Sequence, residues 1–494
     1  MSSDELAVPV YALGQPSRRT GLGGLSLKTT IVAGSGFFLV LLCQMMGAQK
    51  LGYFVIAPIT IILALLVSVN LSGRSLAQSA QMFFQDVRSR NKGENIYVAG
   101  PSSRVPGGRY RLPGSLARTE LLGSVDGLQH EFGVIFDRPR REATVLFDCQ
   151  LSGQTAMTQD ERNDMTANWG RWLAGLSLSG DVVSAVTVIN NRPGTGDLVA
   201  KEVAATVKDD APWIAKQIQF EAAHELSQGT PEVEAHIALT FKVSVDSSED
   251  ISFLDLIGTR LPTMYEDLAW AGIQATPMDE AMVCARAHKF FNPASEADFE
   301  ELIVNGADHG LEWEDVGPAW HQTDRTTYHH EGCSSATWEM SAAPRSTFED
   351  TLLSGLVSSH PRIHRKRVAL CYRPYEAGQG ASRVEAEHRD AMVAANSSKK
   401  IRSASAEMRL EHTEAARRAQ ARGAQLGRYS LFVTATVSDG ESMERVRHDV
   451  QQLGAQANLR LRSMNTQQDA GFVVSCGLGQ IPWAKESTSS MAAQ

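Results

Sequence analysis

The stretch from Thr29 to Leu71 reads TTIVAGSGFFLVLLCQMMGAQKLGYFVIAPITIILALLVSVNL. It contains two apolar runs without a charged residue, and only Gln49 and Lys50 separate them. A helix needs about 20 apolar residues, at ~1.5 Å each, to cross a ~30 Å hydrocarbon core. Each run meets that length, so residues 29–71 predict a two-helix transmembrane hairpin. A buried helix of a soluble protein is the alternative, but two such helices in tandem make it a poor one.

Basic residues on the flanks of the two runs predict the orientation of this hairpin. They are Arg18, Arg19 and Lys28 before the first run and Arg74, Arg88, Arg90 and Lys92 after the second, with only Lys50 between the runs. Lys and Arg near a span stay on the cytoplasmic side. We therefore expect a multi-pass protein of the cell (inner) membrane, with both termini and the bulk of the chain in the cytoplasm. A secretory signal is excluded because a second span follows at once.

The composition limits what the rest of the chain does. About 420 residues follow the hairpin, which is enough for two or three domains of ordinary size. The formal net charge of −9 offers no general electrostatic attraction to nucleic acid. Six scattered cysteines without a C-x-x-C motif fit a reducing cytoplasm. The dipeptide Gly-Lys is absent, so the chain has no P-loop for nucleotide hydrolysis.

Turn-rich and periodic segments divide the chain further. The predicted parts are a cytoplasmic arm (1–28), the hairpin (29–71), an interfacial helix and Pro/Gly linker (72–115), a first α+β subdomain (116–297), a second (298–484) and a disordered tail (485–494). In the third part, apolar residues from Leu76 to Val87 recur at helical spacing. They indicate an amphipathic helix in the headgroup region, or equally an ordinary packed helix.

Strands and helices alternate irregularly after the linker, which favours an α+β body over a doubly wound sheet. Residues 131–151 predict a β-hairpin, and residues 200–226 predict helix with a break near Pro212. Residues 298–320 predict an acidic loop region, and residues 347–357 a helix. In the second subdomain, strands near 459–462 and 471–474 complete a ferredoxin-like alternation, into which the long helical stretch 383–428 is inserted.

Few residues suggest chemistry. His321, His329, His330 and Cys333 lie near one another in sequence, but residues 329 and 330 point to opposite faces of a strand. That arrangement suits a surface pair better than a zinc site. We therefore predict no metal, no cofactor and no catalytic residue, and expect that the protein is not an enzyme.

The stretch 383–428 is locally basic, with ten Lys or Arg against six Asp or Glu. A solvated pair of helices is the simplest interpretation. The alternative is a contact surface for an acidic partner or, with weaker support, for the DNA backbone. The candidate partner-binding residues are Arg409, Arg417, Arg418 and Arg422.

A family resemblance enters with two sets of motifs. Tyr11, PSRR (16–19) and the glycines at 21–24, followed by the hairpin, resemble PrgI-like inner-membrane subunits of conjugation systems. The body carries WGRWLAGL (169–176), GPAW (317–320), DRTTYH (324–329), Trp338 and QQDAGF (467–472). It resembles actinobacterial membrane proteins associated with conjugation and type IV secretion, whose soluble part is similar to the amino-terminal domain of the VirB-type conjugation ATPase.

This resemblance implies a non-catalytic scaffold that anchors or adapts a separate ATPase and contacts other membrane subunits, and self-association is a further hypothesis. CGLG (476–479) stands where the family tends to have a Leu-Pro pair, and no motor follows. A structural subunit of a type VII-type secretion complex is the first alternative. A membrane-tethered enzyme of unknown chemistry is the second.

Overall fold

The computed structural model describes residues 27–68, 70–71, 74–100, 112–151, 153, 157–227, 230–244, 251–342, 348–397 and 404–481. Most of the predicted cytoplasmic arm, most of the Pro/Gly linker and the whole predicted tail therefore lie outside the described residues. The same holds for the connection between the two helices that we predict within 383–428.

The helices are numbered in chain order. They are α1 (Leu27–Met45), α2 (Gln49–Leu51), α3 (Ala57–Ser68), α4 (Leu76–Asn91), α5 (Gln159–Ser179), α6 (Asp197–Thr206), α7 (Trp213–Ser227), α8 (Phe253–Trp270), α9 (Glu280–Phe291), α10 (Glu296–Asn305), α11 (Ser354–Val357), α12 (Ala377–Ser397), α13 (Ala404–Ala421), α14 (Met443–Gln456) and α15 (Gln468–Ser475). A π-helical segment, Gly52–Ile56, joins α2 to α3.

The strands are numbered in the same way. They are β1 (Asn70–Leu71), β2 (Arg74–Ser75), β3 (Ile96–Val98), β4 (Thr119–Val125), β5 (Glu131–Asp137), β6 (Glu142–Leu151), β7 (Val182–Pro193), β8 (Pro231–Lys242), β9 (Ile273–Pro277), β10 (Trp320–Thr323), β11 (Tyr328–His330), β12 (Cys333–Ala342), β13 (Arg365–Pro374), β14 (Gly427–Ser438) and β15 (Arg460–Ser463).

One large antiparallel sheet organises the body. Its 13 strands follow the order β3-β10-β11-β12-β14-β13-β7-β8-β6-β5-β4, with β15 beside β12 and β9 beside β6. The predicted α+β class is confirmed at this level, as a mixed body of helices on an antiparallel sheet. The predicted hairpin at 131–151 is also confirmed, since β5 pairs with β6 across the turn after Asp137.

The sheet contains the same connectivity twice. In the first half β6, α5, β7, β8, α8 and β9 follow one another, and the strands lie side by side as β9-β6-β8-β7. In the second half β12, α11, β13, β14, α14 and β15 follow one another, and the strands lie as β15-β12-β14-β13. This is the ferredoxin-like split βαβ order in both halves. The sequence predicts the alternation only for the second half.

Each half carries an inserted pair of helices between its second and third strands. We call α6–α7 (residues 197–227) the first arm and α12–α13 (residues 377–421) the second arm. The halves meet where β7 pairs antiparallel with β13, through pairs such as Val188 with Ala369 and Ala185 with Tyr372. Because these equivalent strands run in opposite directions, the two arms leave from opposite ends of the sheet.

Helices cover both faces of the sheet. On one face α5 and α8 bury Phe136, Phe147 and Trp172, and α14 continues this layer over the second half. On the other face α9 and α15 cover Val188 and Ala369 at the junction of the halves. Alternate residues of a strand point to opposite faces, so the central strands are apolar on both sides.

Three predicted elements differ in the structure. The expected strand at 471–474 is part of helix α15. Every residue from 471 to 481 is buried, and a run that is apolar on all sides has no periodicity to separate strand from helix. The described residues of the expected helix 347–357 are helical only in α11, and the expected loop region 298–320 begins within α10.

The boundary that we predict between residues 297 and 298 lies within α10. The sheet passes without interruption through both predicted subdomains, and α9 and α15 cover its junction. Residues before the linker also join the body, because β3 pairs with β10 at the edge of the sheet.

Candidate functional site

The apolar residues 27–68 form an antiparallel helical hairpin, which we call the apolar hairpin. Gly36 allows the close approach of the two helices, because a Cβ there would lie about 2.0 Å from the side chain of Thr60. Gln44 donates a hydrogen bond of 2.7 Å to the hydroxyl of Tyr53 near the turn. The π-helical segment precedes Pro58, whose missing N–H disturbs the regular helical hydrogen bonds.

The outer surface of the apolar hairpin is hydrophobic. Phe37 is 69% exposed and Phe54 is 80% exposed, and most of the large aliphatic side chains between them also face outward. One described helix, Gln49–Ser68, is long and apolar enough to span a membrane, with 20 residues and a mean hydropathy of 2.4. The apolar part of α1, Thr29–Met45, is shorter than that. The first run therefore forms a shorter apolar helix than its sequence suggests.

Helix α4 connects the apolar hairpin to the body. A capping box formed by Ser75 and Gln78 begins the helix. Phe84 is exposed, whereas the ring of Phe83 lies 5.6 Å from the guanidinium of Arg325 in the turn between β10 and β11. Together with the β3–β10 pairing, this contact attaches the apolar hairpin at the edge of the second half of the sheet.

The four candidate arginines do not share one surface. Arg409 is half-buried on α13, and its charge opposes the rise that burial causes in the pKa of Glu387 on α12. Arg418 is exposed and pairs with Glu414 at 2.6 Å. Arg417 and Arg422 are exposed near the carboxyl end of the same helix. Three of the four are therefore exposed near the carboxyl end of α13, whereas Arg409 lies against the neighbouring helix.

The first arm exposes residues that the sequence analysis did not select. Trp213 is 72% exposed and Ile218 is 59% exposed on α7, and Ile214 and Phe220 are exposed beside them. Their spacing does not form one apolar stripe, which is the signal by which a packed helix is recognised. Trp213 and Ile214, which directly follow Pro212, are the part of the sequence that could have indicated an exposed apolar surface.

A buried ionic cluster holds the base of the first arm. Arg192 at the end of β7 pairs with Glu232 at 2.6 Å, Glu234 at 3.1 Å and Glu300 at 2.8 Å. Burial by itself raises the pKa of Glu234, but Arg286, Lys289 and Arg192 outweigh it and lower that pKa to about 2. Glu234 therefore remains ionised at neutral pH, and the ion pairs of Arg192 fix β7, β8 and α10 to one another.

The residues considered for zinc are separated by the strand on which they lie. His329 contacts Asp324 at 3.0 Å and Ser334 at 2.8 Å on one face. His330 is buried on the other face and contacts the carbonyl of Phe291. Among the described residues, no group of three or more His, Cys, Asp or Glu side chains is placed to hold a metal ion.

A cleft of about 250 Å³ lies beside β3. Its polar side chains include His288, Asn292, Glu314, Asp315 and Glu331. The carboxylate of Glu331 accepts hydrogen bonds from the backbone N–H groups of Ala319 and Trp320. None of the described residues that line the cleft is a serine or a cysteine, the usual nucleophiles of covalent acyl transfer.

Several residues of the motifs that carry the resemblance lie in the core, whereas the first three residues of GPAW line the cleft beside β3. Trp169 and Trp172 stack with their ring centroids 4.9 Å apart, and the indole of Trp172 donates to the carbonyl of Met264 on α8. Trp338 is fully buried on β12. The buried amide of Gln468 accepts from the backbone N–H of Thr337 at 2.7 Å. These residues position helices on the sheet and present no exposed chemistry.

Residues 468–481, which we call the closing segment, cross both halves of the sheet. They begin beside Thr337 of the second half and reach Thr144 of the first half at Gly479. Gly477 has a φ of +67°, and a Cβ there would lie 2.7 Å from Val188 and 2.8 Å from His236. A side chain at this position would push the closing segment off the sheet.

Comparison with known proteins covers only the amino-terminal part of the chain. Residues 18–78 match a family described as Domain of unknown function (DUF8461). The match includes the apolar hairpin, the basic residues before it and Arg74 after it, and ends in the first turn of α4. No curated protein matches the chain.

Proposed function

We propose that this chain is a non-catalytic scaffold subunit of a type IV-like conjugation or secretion machine. In this proposal it is a multi-pass protein of the inner membrane, its body lies in the cytoplasm, and it anchors or adapts a separate ATPase. The observation that carries the proposal is the apolar hairpin, whose outward side chains are hydrophobic while the body to which it is attached buries its own cores.

The energetics favour insertion of the apolar hairpin into lipid. Exposed apolar surface costs about 25 cal/mol per Å² in water, and both helices satisfy their backbone hydrogen bonds internally, as lipid requires. The Gln49–Ser68 helix has the length of a full span. The shorter α1 is accommodated by local thinning of the bilayer or by its flanking residues. These points support a hairpin with two spans.

The body supports a binding role because its two inserted helix pairs expose apolar and charged side chains. Two helical arms extend from opposite ends of one continuous sheet, and residues of the motifs on which the resemblance rests pack its core. A continuous sheet that holds two exposed arms in fixed positions suits a scaffold protein. The resemblance points to an ATPase and other membrane subunits as partners.

The decisive experiment is affinity purification of the full chain from solubilised native membranes, followed by mass spectrometry. We expect recovery of a separate ATPase and of other membrane subunits of a conjugation or secretion system. A variant that lacks residues 29–71 serves as the control and separates docking by the body from shared membrane location. Recovery of neither class of protein with the full chain would contradict the proposal.

A fusion reporter tests the topology. A reporter placed after Gln494 should be active only as a cytoplasmic form, because the basic flanks lie outside both spans. Activity of a periplasmic-type reporter at that position would overturn the orientation. The purified chain should also not hydrolyse ATP, since the phosphate loop is absent from its sequence.

A further inference from the structure

We propose that the chain associates with itself head to tail, the first arm of one copy binding the second arm of the next copy. This inference stands apart from the proposed function, because it concerns two surfaces of this chain and no other protein. It rests on three observations about the arms: their exposed apolar side chains, their opposite net charges and their opposite positions.

The first observation is an apolar patch on each arm. On the first arm the patch consists of Trp213, Ile214 and Ile218. On the second arm it consists of Met392, Val393 and Met408, of which Val393 is 66% exposed. Residues 392 and 393 lie near the end of α12 and residue 408 near the start of α13, so this patch lies at the outer part of the arm.

The second observation is the net charge of each arm. Residues 197–227 contain six acidic residues and three lysines, a net charge of −3. Residues 377–421, the second arm, contain eight basic and six acidic residues, a net charge of +2. Opposite net charges attract unlike arms and disfavour contacts between like arms, and an apolar centre with a charged surround is the usual composition of an interface.

The third observation is the placement of the arms. The first arm follows the end of β7 at Pro193 and the second follows the end of β13 at Pro374. Because β7 and β13 are antiparallel neighbours, one copy presents its acidic arm at one end of the sheet and its basic arm at the other. An interface between unlike surfaces is heterologous, so it propagates from copy to copy into a ring or an open chain.

The test measures the mass of the detergent-solubilised full chain by sedimentation at low and high salt. We expect assemblies of at least twice the monomer mass of 53.7 kDa at low salt, and smaller species at high salt, where the charges are screened. The variant pair Trp213→Glu with Ile218→Glu disables the first arm. The pair Val393→Glu with Met408→Glu disables the second arm. Leu256→Glu, at a side chain that is 63% exposed on α8 outside both arms, is the matched control.

Mixing the two arm variants gives the sharpest result. Each variant alone lacks one half of every contact and should be monomeric, whereas Leu256→Glu should retain the wild-type mass. In an equimolar mixture, the intact second arm of one variant can bind the intact first arm of the other variant. The remaining two arms of that pair are both disabled, so the mixture should form dimers and nothing larger. Unchanged melting temperatures show that the variants remain folded.

Several outcomes would overturn the inference. A wild-type chain that stays monomeric at low salt has no such interface. Arm variants that keep the wild-type mass would assign the association to the apolar hairpin or to another surface. A mixture of the two variants that stays monomeric would show that the first and second arms do not bind each other.

Discussion

The two arms occupy the same place in the connectivity of the two halves, yet they differ in how they are held and in what they present. The base of the first arm is fixed by the buried ionic cluster around Arg192. The base of the second arm is fixed by a softer contact, in which Arg383 lies 4.6 Å from the ring of Tyr375 and donates to its hydroxyl. The repeated topology thus determines where each arm leaves the sheet, whereas the local side chains determine how the arm is held and which residues it exposes.

The largest expected effect separates the bases of the two arms. Arg192→Ala leaves the buried carboxylate of Glu300 without its cation, while Glu234 keeps Arg286 and Lys289, and should lower the free energy of unfolding by about 3–5 kcal/mol. Arg383→Ala, its counterpart at the second arm, should cost at most about 1 kcal/mol. Thermal unfolding of both variants gives the comparison. Equal losses would show that the two bases are held alike.

A second prediction is that the stability of the folded protein decreases as the pH falls. Burial lowers the pKa of His236 on β8 and of His330 on β11 to about 3 each. Their folded pKa lies below the unfolded value of about 6.5, so the unfolded chain binds more protons as the pH falls from about 6.5 towards 3. Stability should therefore decrease over that window by up to ~1.4 kcal/mol per pH unit for each histidine.

The measurement is the melting temperature between about pH 7 and about pH 5, for wild type and for the double variant His236→Gln, His330→Gln. The variant should show a shallower dependence on pH. His224→Gln, at an exposed position of the first arm, is the control and should keep the wild-type slope. A double variant that keeps that slope would contradict the assignment to the buried histidines.

A third prediction tests the second arm as a partner surface. Reversal of Arg417, Arg418 and Arg422 to Glu should reduce co-purification of the partner ATPase at low salt, and less so at high salt. Each exposed charge pair contributes only ~0–1 kcal/mol, so the three are changed together. Arg409 is left in place because it lies against α12.

The control for this prediction carries the same change of net charge elsewhere. It reverses Arg171, Arg445 and Arg460, which are exposed outside both arms. Equal loss of the ATPase with both triple variants would show a general effect of charge. Full recovery with the second-arm variant at low salt would show that this helix is merely solvated.

The smallest expected effect compares the apolar patches of the two arms. Trp213→Gln and Val393→Gln should each change the free energy of unfolding by no more than about 0.5 kcal/mol, because both side chains are exposed in the single chain. Chemical denaturation of the detergent-solubilised protein below its association concentration measures this. A loss above about 2 kcal/mol would mean that the patch packs against its own body.

The sequence by itself determined the local features of this protein. Uninterrupted apolar runs predict the helices of residues 29–68, and Pro212 correctly marks the break between α6 and α7. Alternating apolar residues around the Asp137 turn predict the β5–β6 hairpin. These features depend on neighbours within a few residues, where periodicity and turn chemistry act directly.

Only the tertiary structure decided the features that join distant parts of the chain. The pairing of β7 with β13 places the arms at opposite ends, and no local pattern specifies which strands become neighbours. Arg192 gathers carboxylates from positions 232, 234 and 300. Residues 471–481 are all buried, so no periodicity in the sequence distinguishes the end of helix α15 from a strand. Arg409 differs from Arg417 because exposure depends on what packs against a helix and not on its own sequence.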